Sequence, residues 1–390
     1  MTITNAPTPI VPDLEPEARI EPSRVPLRRI DREDVQWLAG AALAAFCLDW
    51  LLYERLTPLS GGLGFWLCWY AAFLTIYFVV VREQRGSVVA RDRLATVVIT
   101  TLGLGMVVPL VAIVIYTLVR GLPALRLHFF TQTQEFVGPQ SKASAGGGAH
   151  AIVGTIEQVG LAVLLSVPLA VATAIFLNEI GGRLARPVRL IVDAMSAVPS
   201  IIAGLFIYAV IVLGLGQHQS GFAAALALSV LMLPTVTRTT EVVLRLVPGG
   251  LREGALALGG TEWRMVRKVT LPTARSGIVT AVILGIARCV GETAPLLLTA
   301  GGAFTMVWNP FHSKQDALPL FVFRLINFPQ KAQIARAWTG ALVLLLIVLV
   351  LFAIARVIGG RQPGRAGFIK RYRNRRRHAE TKGEAVAWPS

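Results

Sequence analysis

Two arginines of this chain lie inside long apolar stretches, where a charge needs a physical reason. The first is in LPTVTRTTE, residues 233 to 241, which sets Arg238 and Glu241 one helical turn apart among Thr235, Thr237, Thr239 and Thr240. The second is in IARCVGETAPLLLTAGG, residues 286 to 302, with Arg288 and Glu292 at i and i+4 of an expected helix. A charge at the centre of a bilayer costs on the order of 3 kcal/mol on insertion scales, so each arginine requires a partner or an aqueous cavity. Two guanidiniums facing an interior lined by hydroxyls such as Thr239 and Thr240 suit a tetrahedral oxyanion, because the planar fork donates to two oxygens at once. The plainer reading is structural: Arg238 pairs with Glu241, Arg288 pairs with Glu292, and both pairs hold helices together. The two readings are compatible, since an ion pair can open when an anion arrives.

Other chemistry is poorly supported. The five histidines, His128, His150, His218, His312 and His378, fall in loops or the tail, and there is no HExxH or GxSxG segment. An intramembrane hydrolase or acyltransferase would need a nucleophile and a base within reach of each other. Cys47, Cys68 and Cys289 all lie in apolar stretches, with neither a disulfide framework nor zinc spacing. A GxxxxGK[ST] phosphate loop is missing, so the chain is expected to bind no ATP and no metal, and not to be an enzyme.

The elements that must position the arginines follow from composition. Of 390 residues, 54% are hydrophobic and 15% charged, too apolar for an ordinary soluble domain. Apolar stretches cover 38 to 53, 63 to 81, 94 to 119, 152 to 177, 190 to 215, 221 to 247, 277 to 301 and 338 to 358. About 20 such residues cross a bilayer as a helix, so the expected fold is an all-α polytopic membrane bundle. The first stretch is short and contains Asp49, which leaves a re-entrant or interfacial helix as its alternative. Pro109, Pro168, Pro199 and Pro234 are expected to kink spans, and the Gly pairs 181-182, 249-250 and 301-302 to mark helix ends. Glu157 and Asp193, near span ends, are assigned structural or interfacial roles. The net charge of +16 would suggest nucleic acid in a soluble protein. Most of the 38 Lys and Arg, however, fall in segments on one side of the spans: before 38, 82 to 93, 178 to 189, 245 to 275 and after 356. That asymmetry places those segments and both termini in the cytoplasm and removes the nucleic-acid reading. The cluster RQPGRAGFIKRYRNRRRH, 361 to 378, suits anionic membrane lipid.

The cytoplasmic segment EGALALGGTEWRMVRKVTLP, residues 253 to 272, reads as two short helices on the membrane face. Glu253 opens the first, where a carboxylate meets the positive end of the helix dipole. Ala255, Leu256 and Leu258 give it an apolar face, and Gly259 and Gly260 end it. Thr261 caps the second, and Leu271-Pro272 opens the next span. Such a helix-turn-helix fits a groove on a soluble partner; a surface-lying amphipathic connector is the bland alternative.

These residues resemble importer permeases of the ATP-binding cassette (ABC) class, whose motif is Glu-Ala-Ala, three residues, Gly, nine residues, then Ile-any-Leu-Pro. Glu253, Ala255, Gly259, Val269, Leu271 and Pro272 match its spacing; Gly254 and Val269 depart from its residue types. The resemblance implies a type I permease bundle of six core spans with about two extra amino-terminal ones, and a coupling helix that docks on a separate ATPase. Further stretches resemble the phosphate-specific permeases of the PstA type: GETAPLL after Arg288, GGGAHAIVGT at 146 to 155, SAVPSIIAGLFIY at 196 to 208 and ALPLFVFRLINFP at 317 to 329. That branch implies a phosphate pathway through Arg238, Arg288 and Glu292. It also implies a second permease of the PstC type, an ATPase dimer holding ATP and magnesium, and an extracytoplasmic phosphate-binding protein docking on the long outer loops 120 to 151 and 302 to 337. The expected organisation is a cytoplasmic segment 1–37, an extra span pair and linker 38–93, a first core span and outer loop 94–151, the transmembrane domain 152–358 with coupling loop 245–275, and a basic cytoplasmic tail 359–390, in a bacterial or archaeal plasma membrane. The alternatives are a permease for sulfate, molybdate or phosphonate, and a scaffold for phosphate signalling.

Overall fold

The computed structural model describes residues 32–56, 61–142 and 144–359. Residues 32 to 37 of the expected amino-terminal segment belong to the first helix; the rest of that segment and the basic tail, with the lipid-binding cluster expected there, lie outside the described residues. Among these the chain is helical, apart from an isolated bridge between Gly301 and Gln315. In order come α1 (Arg32–Leu51), α2 (Gly62–Arg85), α3 (Ser87–Gly121) and the short α4 (Leu127–Thr131). Then follow α5 (Ala149–Ile175), α6 (Ala185–Ala197), α7 (Ser200–Ile207), α8 (Gly221–Arg245) and α9 (Gly249–Ala257). The last are α10 (Glu262–Met265), α11 (Leu271–Val290), α12 (Ala294–Thr299), α13 (Leu318–Ile326) and α14 (Lys331–Gly359). Six helical segments among the described residues are long and apolar enough to cross a membrane, and α6 with the segment from α7 to Gly214 is apolar enough to make a seventh as a bent pair, either a broken span or a re-entrant loop. The short, acidic α1 is not among the six, in line with the weakness of stretch 38 to 53 in the sequence.

The chain divides into two compact units at Leu110. In the first, α1, α2 and the start of α3 pack around Ala41, Ala45, Phe73, Tyr77, Val81 and Ala90. Asp34, only 7% exposed, accepts a hydrogen bond from Arg93 at 2.6 Å and forms an ion pair with Arg85 at 3.2 Å, while the Arg85 guanidinium lies 4.7 Å over the Trp37 ring. In the second, small residues let α5 and α8 approach closely: Ala162, Ala170 and Ala224 are fully buried between them. Hydroxyls cross the same seam, Ser229 donating to the Ala162 carbonyl and Thr237 to that of Ala170, each at 3.4 Å. The outer segments also fold onto each other. Arg336, 1% exposed, donates to the carbonyls of Lys142 at 2.6 Å and Ser141 at 3.1 Å. Buried His150 meets Asp316 at 3.4 Å.

Two of the expected spans are corrected. Stretch 190 to 215 is not one straight helix: α6 and α7 meet at 104° across Val198-Pro199. Proline drives its predecessor out of the helical region, and Val198 is extended (φ −69°, ψ 122°). Stretch 277 to 301 begins earlier and ends sooner than hydropathy suggests. A continuous helix runs from Glu262 through a π-helical turn, Val266–Thr270, into α11, and stops at Val290. Gly291, Glu292 and Thr293 are non-helical, and Pro295 stands in the first turn of α12. Glu292 therefore does not continue the Arg288 helix face.

Candidate functional site

Where α6, α8 and α11 meet, a cavity of about 250 Å³ is lined by Ser196, Thr235, Arg238, Thr239 and Arg288, with Met195, Val198, Leu231 and Pro234 as its apolar wall. Both arginines named by the sequence reach it from different helices. Arg288, whose side chain is 60% exposed, donates to the Thr235 hydroxyl at 3.4 Å and stands 3.9 Å from Glu292. Arg238 differs: one terminal nitrogen donates to Glu241 at 3.0 Å and the other contacts Asp193 of α6. Glu241 is buried and also accepts Arg189 at 2.8 Å and Arg245 at 2.5 Å. Three cations thus surround one carboxylate, a geometry in which attraction and hydrogen bonding offset the cost of removing that charge from water.

The structure brings together part of the expected set and leaves the rest aside. Thr239 lines the cavity, its hydroxyl bonded to the Thr235 carbonyl at 2.9 Å. Thr240 is fully buried and does not line it, and Glu292 does not line it either. Sequence reasoning paired Arg238 with Glu241 alone and gave Asp193 only a structural or interfacial role. It missed Arg189, Arg245 and the contact from Asp193. A faint signal existed, since Arg189 and Asp193 stand at i and i+4 of one helix, as do Glu241 and Arg245 of another.

On the other face of the same helices, α9, α10 and the turn between them form the expected helix-turn-helix. Pro248 and Gly249 open α9, so Glu253 stands within the helix and not at its start. Gly259 ends it with φ +77°, its N–H donating to the Leu256 carbonyl at 2.9 Å and that of Gly260 to Ala255 at 3.1 Å. This is the paired bonding of a Schellman cap. The Thr261 hydroxyl accepts the Arg264 N–H at 3.3 Å, as expected of a cap. Glu253, Gly254 and Gly259 are exposed, Ala255 is half-buried, and Leu256, Leu258 and Trp263 present apolar surface. Leu271 and Pro272 open α11 behind the π-helical turn within a helix already begun, which corrects their expected role as the start of the span. Arg252, which the sequence did not single out, anchors α9: it donates to Glu179 and to the Leu244 carbonyl, both at 2.8 Å.

Residues 166–362 match the family described as "Binding-protein-dependent transport system inner membrane component", and the chain belongs to that family of importer permeases. Within it the chain falls among the PstA-type permeases. The phosphate transport system permease protein PstA 1 of Mycobacterium tuberculosis (strain CDC 1551 / Oshkosh) is 39% identical over 270 residues, 69% of this chain and 88% of the relative. PstA of Mycobacterium leprae (strain TN) is 38% identical over 66% of this chain and 85% of its own, and PstA of Yersinia pestis 38% over 64% and 83%. Among solved structures, a bacterial alginate ABC transporter in complex with alginate pentasaccharide-bound periplasmic protein matches with a TM-score of 0.50 at 16% identity, over 70% of this chain and 95% of that one, and shares the fold alone.

Proposed function

We propose that this chain is the PstA-type membrane subunit of an ATP-driven importer of inorganic phosphate, and that Arg238 and Arg288 form its share of the anion pathway. The observation that carries this reading is that two arginines from different helices, with Thr235, Thr239 and Ser196, line one cavity. Donors of this kind, set around a small cavity, match the oxygens of a tetrahedral anion. The helices that hold them are the two joined by α9 and α10, so motion of the docking segment is transmitted directly to the site. A second permease of the PstC type would complete the pathway. Two ATPase subunits, holding ATP and magnesium, would receive α9 on the cytoplasmic side, with both termini on that side. An external phosphate-binding protein would dock on the outer segments 120 to 151 and 302 to 337. Closure of the ATPases would then rock the bundles about the site, the general scheme of alternating access.

The test is ATP-dependent uptake of radiolabelled phosphate into vesicles containing the chain with its co-purified partners and binding protein, with excess unlabelled sulfate as competitor. Uptake that needs ATP and survives sulfate is the expected result. An assembled, ATP-hydrolysing complex that moves no phosphate would refute the substrate and leave the permease assignment intact.

A further inference from the structure

The geometry points to Asp193 as a built-in rival of the transported anion, a carboxylate that occupies the fork of Arg238 while the pathway is empty and must leave it when the anion binds. This rests on the phosphate-pathway reading above. Both terminal nitrogens of Arg238 meet a carboxylate, one Glu241 and one Asp193, so an anion that approaches the fork competes with both for its N–H donors and meets their negative charge. The two carboxylates are not equivalent. Glu241 has a side chain only 3% exposed and keeps Arg189 and Arg245 whether or not Arg238 stays. The Asp193 side chain is 50% exposed, and among the described residues Arg238 is the cation within ion-pair reach of it. Asp193 can therefore leave Arg238 without becoming an enclosed, unpaired charge in the bundle, whereas Glu241 is enclosed in any case. The helix that carries Asp193 also supplies Met195 and Ser196 to the cavity wall, so the carboxylate leaves from beside the space the anion enters. A second negative charge beside the same guanidinium weakens the hold on either, and a phosphate dianion outcompetes a single carboxylate where a singly charged ion of similar size does so less well. Asp193 thereby biases the empty site toward multiply charged oxyanions.

The test uses the complete complex with its partner subunits, nucleotide-free and without binding protein. Binding of radiolabelled phosphate is measured by equilibrium dialysis at one fixed ionic strength. Asp193→Asn is expected to bind phosphate about tenfold more tightly than the natural chain, the scale of removing one like charge from a site. Asp193→Glu should stay close to the natural chain. Asp193→Ser serves as a second neutral variant should the Asn complex fail to assemble. A purely supporting role, in which Asp193 holds Arg238 in place for the anion, predicts the opposite sign, so equal or weaker binding in the assembled neutral variants overturns the inference. A parallel series with sulfate and molybdate separates this from the substrate. If those anions bind and tighten in Asp193→Asn while phosphate binds neither chain, Asp193 keeps its role and the phosphate reading falls. Binding of no oxyanion to either chain overturns Asp193's role as well.

Discussion

Arg288 presents its guanidinium to the cavity with Glu292 standing off at 3.9 Å, whereas Arg238 is held through both terminal nitrogens by carboxylates. The more available cation should carry more of the anion's grip. A charge-assisted contact contributes roughly 1.5–3 kcal/mol, so Arg288→Ala should lower phosphate uptake by at least about tenfold. Co-purification with the partner subunits should be unchanged, because no buried carboxylate is left behind. Uptake near the natural level in an assembled Arg288→Ala complex would remove this residue from the pathway. Arg288 and Arg238 were legible in the sequence because charge in an apolar stretch is costly and therefore conspicuous. So was the glutamate that each one meets, Glu241 and Glu292; the further partner of Arg238 was not. Each arginine has a glutamate nearby in sequence, and local spacing alone suggests two equivalent pairs. Only the crossing of α6 over α8 shows that Arg238 is shared by Asp193 and Glu241, and only the end of α11 at Val290 shows that Glu292 meets Arg288 from beyond the helix.

At the scale of elements, the proposed coupling role requires α9 to hold its shape. Gly259 has φ +77° in open surroundings, so a side chain there meets backbone strain without any clash. Gly259→Val should cost about 1–2 kcal/mol of cap stability. The expected outcome is ATP hydrolysis that persists while phosphate uptake per ATP falls, measured on one reconstituted preparation. Glu253→Lys, which reverses a charge on the exposed docking face, should uncouple in the same way. Loss of assembly in both variants would make the segment purely structural. Arg252 gives a complementary test. Its removal leaves Glu179, with a side chain 3% exposed, without its cation, a loss of about 3–5 kcal/mol for a buried pair broken on one side. Thermal unfolding of Arg252→Ala in detergent should therefore fall well below that of the natural chain. Glu179→Gln added to Arg252→Ala should recover part of the loss, since the buried charge is then gone. The turn, the caps and the glycine stop of this segment were readable from sequence because capping is local. The Arg252 anchor was not, since its partner lies on the far side of a long sequence separation.

At the scale of the molecule, the chain forms two units, each with its own core, and substitutions should act within the unit that holds them. Asp34 is buried between Arg85 and Arg93 in the first. Asp34→Ala should therefore speed limited proteolysis within residues 32 to 110 while ATP-dependent phosphate uptake persists; loss of uptake in an assembled complex would give the first unit a part in transport. The sequence by itself determined that the chain is helical and crosses a membrane several times, because apolar length and the placement of Lys and Arg follow from the cost of polar groups in hydrocarbon. It also determined the helix-turn-helix between α8 and α11 and the two candidate arginines, since caps, glycine stops and misplaced charges are local signals. The tertiary structure alone decided that the kink expected at Pro199 is a 104° bend between α6 and α7, that α11 breaks before Glu292, and that both arginines line one cavity with Asp193 against one of them. Hydropathy averages over a window and records no direction, whereas a shared cavity depends on where helices distant in sequence cross, and packing sets that.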